Sequence, residues 1–263
     1  MKKIIRNFLN KRNYEIIKQP YIGNKYPNLS KNKDEYYCET PIGKFYLPCN
    51  AELDAVASTL IRGKYFEPYI IEIAKKHIKS NSTVLDIGAN FGQMSMVFSN
   101  LVEPNGEVMS FEAQNLVFHF LEKNIEANRC KNVRLIERAV YNKENEVLYF
   151  STPDMTNGAP YSGNTILGNS KTSNGVKSIT IDSLKIDNPI SFMKIDIEGS
   201  DIFALKGAKE TILKHKMPII FEYTQHVQTD FNTSFQDYVD FVESINYKFE
   251  AIIEKINFLI LPK

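Results

Sequence analysis

The sequence predicts an α/β protein in which a mostly parallel sheet carries helices on both faces, behind a small leading cap. Three observations predict it. From Val84 onward, short apolar runs of strand length alternate with longer segments of helical periodicity. The first of those strands, VLDIGANFG (84–92), passes through a turn with two glycines before the next helix. A chain of 263 residues, 43% of them hydrophobic, is large enough to bury one good core.

Ahead of the alternation the chain is basic, with Glu15 the lone acid between Met1 and Lys33. In MKKIIRNFLNKRNYEIIK, the residues Ile4, Ile5, Phe8, Leu9 and Ile16 gather on one side of a helix. Such a helix either touches anionic membrane peripherally or packs on its own domain. Its apolar pairs are interrupted too soon for a secretory core, and no run of about 18 apolar residues follows that could span a bilayer. The segment YYCETPIGKFYLP (36–48) predicts a hairpin turned at Pro41 to Gly43, and residues 53–78 predict helical stretches broken near Gly63 and Pro68. This reading gives an N-terminal cap at 1–80 and a main domain at 81–263.

In the main domain a strand at 84–87 leads to a helix at 92–101, a strand EVMSFEA (107–113), a helix from about Asn115 to Asn128 and a strand VRLIERAV (133–140). The strand EVLYFS (146–151) precedes a stretch, Thr152 to Val176, so rich in Gly, Ser, Thr and Asn that it reads as a loop. Loops of that length serve as lids or binding loops, or are disordered. The rhythm resumes with KSITIDSL, ISFMKIDIEG (190–199), a helix from about Asp201 to His215 and the strand PIIFEY (218–223). A helix at 234–245 then leads into YKFEAIIEKINFLIL, two strands joined by a tight turn near Glu254 and Lys255. The whole is a Rossmann-like domain finished by a hairpin.

The formal net charge of +1 offers no whole-chain case for nucleic acid. Cys38, Cys49 and Cys130 show neither zinc-ligand pairing nor the even count of a disulfide scaffold, which suits a reducing, cytoplasmic setting.

The glycine turn carries the ligand question. Ligands of open α/β sheets bind beyond the carboxyl ends of the strands. Gly88 and Gly92 either leave room for a ligand or supply a φ that side chains resist. A dinucleotide fingerprint needs glycine at the third and sixth positions from Gly88, where Asn90 and Gln93 stand, and no phosphate-binding GxxxxGK[ST] occurs. Asp86, at the strand end, would oppose a pyrophosphate with like charge. S-adenosylmethionine, with an ammonium, a sulfonium and no phosphate, suits that carboxylate, and amides after Phe91 are placed to take its carboxylate. Glu112, at the end of the second strand, is placed to accept a ribose diol, although a nicotinamide cofactor would use it equally well.

These segments resemble the FkbM-type S-adenosylmethionine-dependent methyltransferases. The resemblance rests on VLDIGANFG, on FEAQNLVFHFLEKNIEANRCKNVRLIERAV, on SITIDSL and on MKIDIEGSDIFALKGAKETILKHKMPIIFEY, about residues 84–223. It implies the class I methyltransferase fold, a mostly parallel seven-stranded sheet with a closing antiparallel hairpin, and methylation of hydroxyl groups of sugars or polyketide-derived products. By position it implies that Asp86, Gly88, Asn90, Gly92 and Glu112 bind the cofactor, and that the stretch 138–140, centred on Ala139, lies near its adenine. The chain departs from the family pattern at Ala113, where proline is usual, and at Asp201, where glutamate is usual.

Methylating a sugar hydroxyl calls for a base. Lys194, Asp196 and Glu198 alternate with period two and so share a face of their strand. Asp196 is the expected base with Glu198 as its substitute, and Lys194 holds the base ionised or binds an acceptor oxygen. Asp196, Glu198 and Glu222 are also oxygen donors of the kind a divalent ion takes, but their spacing demands none and no metal is assigned. His226 is an alternative base; His77, His119 and His215 read as helix or helix-end residues, and Arg138 as a solvated partner of Glu137. A nicotinamide-dependent oxidoreductase, opposed by Asn90 and Gln93, and a non-catalytic binding protein, opposed by the intact carboxylates, are the alternative readings. The expected acceptor is a sugar of a bacterial surface glycan or its nucleotide-linked precursor, with the polar 152–176 segment ordering over it.

Overall fold

The computed structural model describes residues 29–31, 35–49, 51–149, 175–224, 231–254 and 256–263. The basic N-terminal segment, nearly all of the polar 152–176 segment, His226 and Lys255 lie outside the described residues.

Seven strands form the main sheet: β4 (Thr83–Ile87), β5 (Glu107–Phe111), β6 (Val133–Ile136), β10 (Ile190–Ile195), β11 (Ile219–Glu222), β12 (Tyr247–Ile253) and β13 (Asn257–Pro262). Their order is β12-β13-β11-β10-β4-β5-β6. All neighbours from β11 to β6 pair in parallel, and β13 runs antiparallel to both β11 and β12. This is the mostly parallel class I sheet with its closing hairpin. Every residue of β4 and β10 is buried, as the near-continuous apolar runs TVLDI and ISFMKI require of central strands covered on both faces. Two charged groups interrupt those runs, Asp86 and Lys194, and they stand opposite each other in the β4–β10 register.

Among the described residues the α-helices are α1 (Ala55–Ile61), α2 (Pro68–His77), α3 (Gln93–Val102), α4 (Asn115–Ala127), α5 (Asp201–Lys206), α6 (Lys209–His215) and α7 (Phe235–Ser244). Local chemistry sets several of their starts. Asp54 accepts the Ala57 N–H ahead of α1 at 2.9 Å, Pro68 occupies the first turn of α2, and Ser234 with Asp237 forms a capping box on α7. The helix expected over 201–215 is two, because Asp182 reaches across to accept the Glu210 and Thr211 N–H groups (3.0 and 2.8 Å) and caps a new start.

The strand expected over 133–140 also divides. Arg138 N–H turns back to the Ile136 carbonyl (3.0 Å), and β7 (Ala139–Val140) leaves the main sheet. It pairs in parallel with β9 (Val176–Ile179), whose other edge takes β8 (Val147–Leu148) antiparallel.

The cap forms its own antiparallel sheet from β1 (Leu29–Lys31), β2 (Glu35–Thr40) and β3 (Gly43–Pro48). Tyr36, Cys38, Phe45 and Leu47 on one face are buried in a cluster with Phe91, Leu121 and Ile125 of the main domain. Two asparagines of the α4 region join the layers by accepting cap backbone N–H groups: Asn124 from Tyr46 (2.6 Å) and Asn128 from Lys44 (2.9 Å). Cys38 and Cys130 are free thiols. Burial pushes the Cys38 thiol up to about 12, too high for appreciable thiolate. Among the described residues no helix is long and apolar enough to cross a membrane.

Candidate active site

Strand order reverses at the β4–β10 pair: β5 and β6 lie to one side and β11 to the other. The carboxyl ends of β4, β5, β10 and β11 therefore converge where open α/β sheets bind ligands. Those ends are Gly88, Glu112, Asp196 and Glu222.

The turn after β4 is pinned on both sides. Gly88 and Ala89 each donate to the Phe111 carbonyl (2.9 and 2.9 Å), and Asp196 N–H donates to Ile87 O (3.0 Å). Gly88, Asn90 and Gly92 have φ of 79°, 51° and 88°, so the backbone reason for the glycines holds. The expectation that they leave room for a ligand is corrected. A Cβ on Gly88 would lie 1.9 Å from the Asp196 carbonyl oxygen, and one on Gly92 2.8 Å from Leu121. The space is taken by the protein itself, and Gly88 is what allows β10 to approach the turn.

Glu112 closes that turn. One carboxylate oxygen accepts the Asn90 N–H (3.0 Å) and the other the Gln114 N–H (2.9 Å), which leaves lone pairs on each for further donors. Burial pushes its carboxyl up, against the pull of the Gln114, Asn90 and Ala113 amides. Asn90 uses its own side chain to take the Phe91 N–H (2.7 Å), so that amide is already satisfied within the turn. Ala139 is buried on β7, three residues past Ile136, whose carbonyl accepts the Glu112 N–H.

Asp86 stands elsewhere than expected. It is fully buried, with one oxygen accepting from Ser95 Oγ at 2.5 Å and the other 3.9 Å from Lys194 Nζ. A cation of the protein itself thus stands beside the acidic strand end. Burial pushes the Asp86 carboxyl up, and Lys194 and Ser95 oppose that. Lys194 also donates to Asp196 (3.1 Å) and to the Gly88 carbonyl (3.3 Å). Burial would lower its pKa, but Asp196, Asp86 and Glu67 together hold the ammonium above its ordinary range. The expected grouping of Lys194 with Asp196 is present, although β10 ends at Ile195, and Glu198 reaches the site from a turn in the left-handed region (φ 52°) rather than from a strand face.

Glu222 completes an acidic group. One oxygen each from Asp196, Glu198 and Glu222 lie within 4.8 Å of one another. Burial first, and then mutual repulsion led by Asp196, pushes the Glu198 carboxyl up to about 8 and that of Glu222 to about 10. Asp201, fully buried and accepting the Glu222 N–H, is pushed up to about 7 for the same two reasons.

Three participants escaped the sequence reading. Glu67, at the start of α2, accepts from Tyr69 (2.5 Å) and Asn257 (3.1 Å) and shares the field of Asp196 and Lys194. Gln93, which spoils the dinucleotide fingerprint, clasps the Phe66 backbone by both its N–H (2.5 Å) and its carbonyl (2.9 Å), and so draws Glu67 to the sheet edge. Glu67 sits at the FEP break already visible in the sequence, but Asn257 belongs to a closing strand that carries no local signal. Of the histidines, His77 ends α2, His119 lies within α4 and His215 ends α6, as read.

The donor set fits S-adenosylmethionine. The edge gathers Glu67, Glu112, Asp196, Glu198 and Glu222 around one lysine that is already paired, a surface that favours a cationic, phosphate-free cofactor and disfavours a pyrophosphate.

No curated protein sequence matches the chain. Among solved structures, the chain is similar to the methyltransferase FkbM from Methylobacillus flagellatus KT (15% identity, 81% of this chain and 56% of that one, TM-score 0.44). It is similar also to a SAM-dependent methyltransferase from Aquifex aeolicus (14%, 74% and 88%, TM-score 0.44). A third is the fibrillarin pre-rRNA processing protein of Methanococcus jannaschii (12%, 95% and 88%, TM-score 0.46). The family model described as the methyltransferase FkbM domain matches residues 86–249, more than half of the chain and every strand end described above. The protein therefore belongs to the FkbM methyltransferase family and is an enzyme that uses S-adenosylmethionine.

Proposed function

We propose that the enzyme methylates a hydroxyl group of a sugar, in a bacterial surface glycan or its nucleotide-linked precursor, with Asp196 as the base. The observation that carries this reading is Asp196 itself. It stands at the switch point, its side chain 29% exposed, 3.1 Å from a buried lysine. A sugar hydroxyl gives up its proton reluctantly, so a carboxylate positioned to receive it is the group such an acceptor needs and a stronger nucleophile does not. Lys194, held cationic by three carboxylates, donates to Asp196 and fixes the position of its carboxylate. The composition of the 152–176 segment, rich in hydroxyl and amide groups, supports a hydroxylated acceptor. The nicotinamide and non-catalytic alternatives fall with the family assignment.

S-adenosylmethionine supplies an activated methyl group when bound. In this reading Glu112 holds its ribose through the lone pairs that Asn90 and Gln114 leave free, and the Gly88–Gly92 turn, backed by Asp86 and Lys194, shapes the floor. Positioning of the acceptor oxygen accounts for most of the acceleration, since well-oriented pairs gain roughly 7 to 11 kcal/mol in model systems. The test uses methyl-labelled cofactor and hydroxylated sugars. Mass spectrometry is expected to find the label on oxygen. Asp196→Asn is expected to lower kcat by about a hundredfold or more, with S-adenosylhomocysteine affinity nearly unchanged. A methyl group on nitrogen overturns the acceptor class. Unchanged turnover in Asp196→Asn, and in Glu198→Gln as well, overturns the base.

A further inference from the structure

We propose that Asp196, Glu198 and Glu222 form a binding site for a hard divalent cation of the Mg²⁺, Mn²⁺ or Ca²⁺ class. Two observations carry it. The first is the triangle of carboxylate oxygens, one from each residue, all within 4.8 Å of one another. Ligands on opposite sides of Ca²⁺, at about 2.3–2.6 Å each, are about 4.6–5.2 Å apart, and those on Mg²⁺, at about 2.0–2.1 Å, about 4.0–4.2 Å apart. Three donors cannot all stand opposite one another, and a triangle with sides of at most 4.8 Å holds its corners no more than about 2.8 Å from the centre, so the donors close in by a few tenths of an ångström around Ca²⁺ and by more around Mg²⁺. An all-oxygen donor set selects hard cations over zinc or copper.

The second observation is Asp201. Its side chain is fully buried and one oxygen, Oδ2, has no hydrogen-bond partner among the described residues. The other oxygen accepts the Glu222 N–H at 3.3 Å, and the carboxylate is near enough to Glu198 and Glu222 for its charge to act on both. A buried carboxylate oxygen without a donor costs free energy unless a positive charge stands nearby. Lys194 cannot serve that purpose alone, because it is already divided between Asp196, Asp86 and the Gly88 carbonyl. A cation above the triangle answers all four carboxylates. The surroundings also orient the donors: Thr224 Oγ donates to one oxygen of Glu222 (2.7 Å) and Lys194 to one oxygen of Asp196 (3.1 Å), leaving each an oxygen to offer.

Three protein ligands leave open positions facing outward, where hydroxyl oxygens of the acceptor can bind. That role rests on the hydroxyl-acceptor reading above, whereas cation binding itself does not. The test is made on the full chain after chelator treatment. The protein has 14 tyrosines and no tryptophan, and Tyr223 adjoins Glu222, so Tb³⁺ luminescence excited through tyrosine reports the site. The expected result is one Tb³⁺ per chain, displaced by Ca²⁺ or Mn²⁺, with matching saturable heats in calorimetry. Glu222→Gln and Glu198→Gln should each weaken binding at least about tenfold, while Asp187→Asn, an exposed acid ahead of the opposite, amino end of β10, should not. Glu198 lies in the turn after β10 rather than in a strand, so its variant answers the question should Glu222→Gln fail to fold, and circular dichroism and S-adenosylhomocysteine binding show which variants are folded. Absence of saturable binding by all three metals at millimolar concentration, or full-strength binding in both folded variants, overturns the site. An N-methylated product with cation binding intact overturns the acceptor reading and leaves the site standing; an O-methylated product without cation binding does the reverse.

Discussion

At the scale of single residues, Glu112 shows how one side chain serves two ends. It ties Asn90 to the end of β5, and its carboxylate keeps lone pairs that the Asn90 and Gln114 amides do not use, which the proposed function gives to the ribose. Hydrogen bonds to a charged acceptor are worth about 1.5–3 kcal/mol each, so Glu112→Ala is expected to weaken S-adenosylhomocysteine binding by at least about tenfold in calorimetry. His77 makes a different point. In the last turn of α2 the helix dipole favours the charged ring, yet the ring stacks on Phe192 with centroids 6.5 Å apart. Burial, assisted by Lys76 and opposed by Glu250, lowers its pKa below the ordinary value of 6.5. A histidine depressed in the fold contributes stability that is present above the unfolded pKa and lost as pH falls through the folded one. The melting temperature of the wild type is therefore expected to drop more steeply below about pH 6.5 than that of His77→Phe.

At the scale of elements, the β4–turn–α3 unit is set by its contact with β10. A Cβ on Gly88 meets the Asp196 carbonyl at 1.9 Å, and φ is 79°. The Gly88→Ala variant must push the end of β10 away, at a cost of at least about 1–3 kcal/mol, and it displaces the proposed base as it does so. The expected outcome is a lowered melting temperature together with a fall in kcat larger than that in cofactor affinity. The strands and helices of this unit were legible from periodicity because β4 and β10 are buried on both faces and read as unbroken apolar runs. The divisions of 133–140 and 201–215 were not, because each is made by a distant partner: β9 draws β7 out of the sheet, and Asp182 caps α6 from 28 residues away.

At the scale of the whole molecule, the cap is joined to the core by buried polar contacts as well as apolar ones. Asn124, with no exposure, accepts the Tyr46 N–H and donates to the Phe91 carbonyl at 2.9 Å, linking the cap hairpin to the glycine turn through one side chain. Asn124→Ala leaves both backbone groups without that partner, at about 1–3 kcal/mol each. At about 2–4 °C per kcal/mol for a domain of this size class, a loss of several degrees in melting temperature is expected by calorimetry. A loosened Phe91 carbonyl should also disturb the turn, so weaker S-adenosylhomocysteine binding is expected in the same variant.

The sequence by itself determined most of the order of the elements, the position of the glycine turn and the family, and it marked Glu112, Asp196 and Glu198 as candidates, because strand periodicity, turn glycines and an unbroken KIDIEG motif are local properties of the chain. Tertiary structure alone decided what those groups meet. Asp86 and Lys194 lie 108 positions apart and neutralise each other only because β4 and β10 pair in register. Glu67 and Asn257 reach the same edge because Gln93 clasps the cap and the closing hairpin returns beside β11. The nearness of Glu222 and Asp201 to Asp196 arises in the same way, from parallel strands whose carboxyl ends are brought side by side by crossovers. Charge pairing and crowding across a sheet depend on register, and register is a property of the assembled sheet rather than of any one segment.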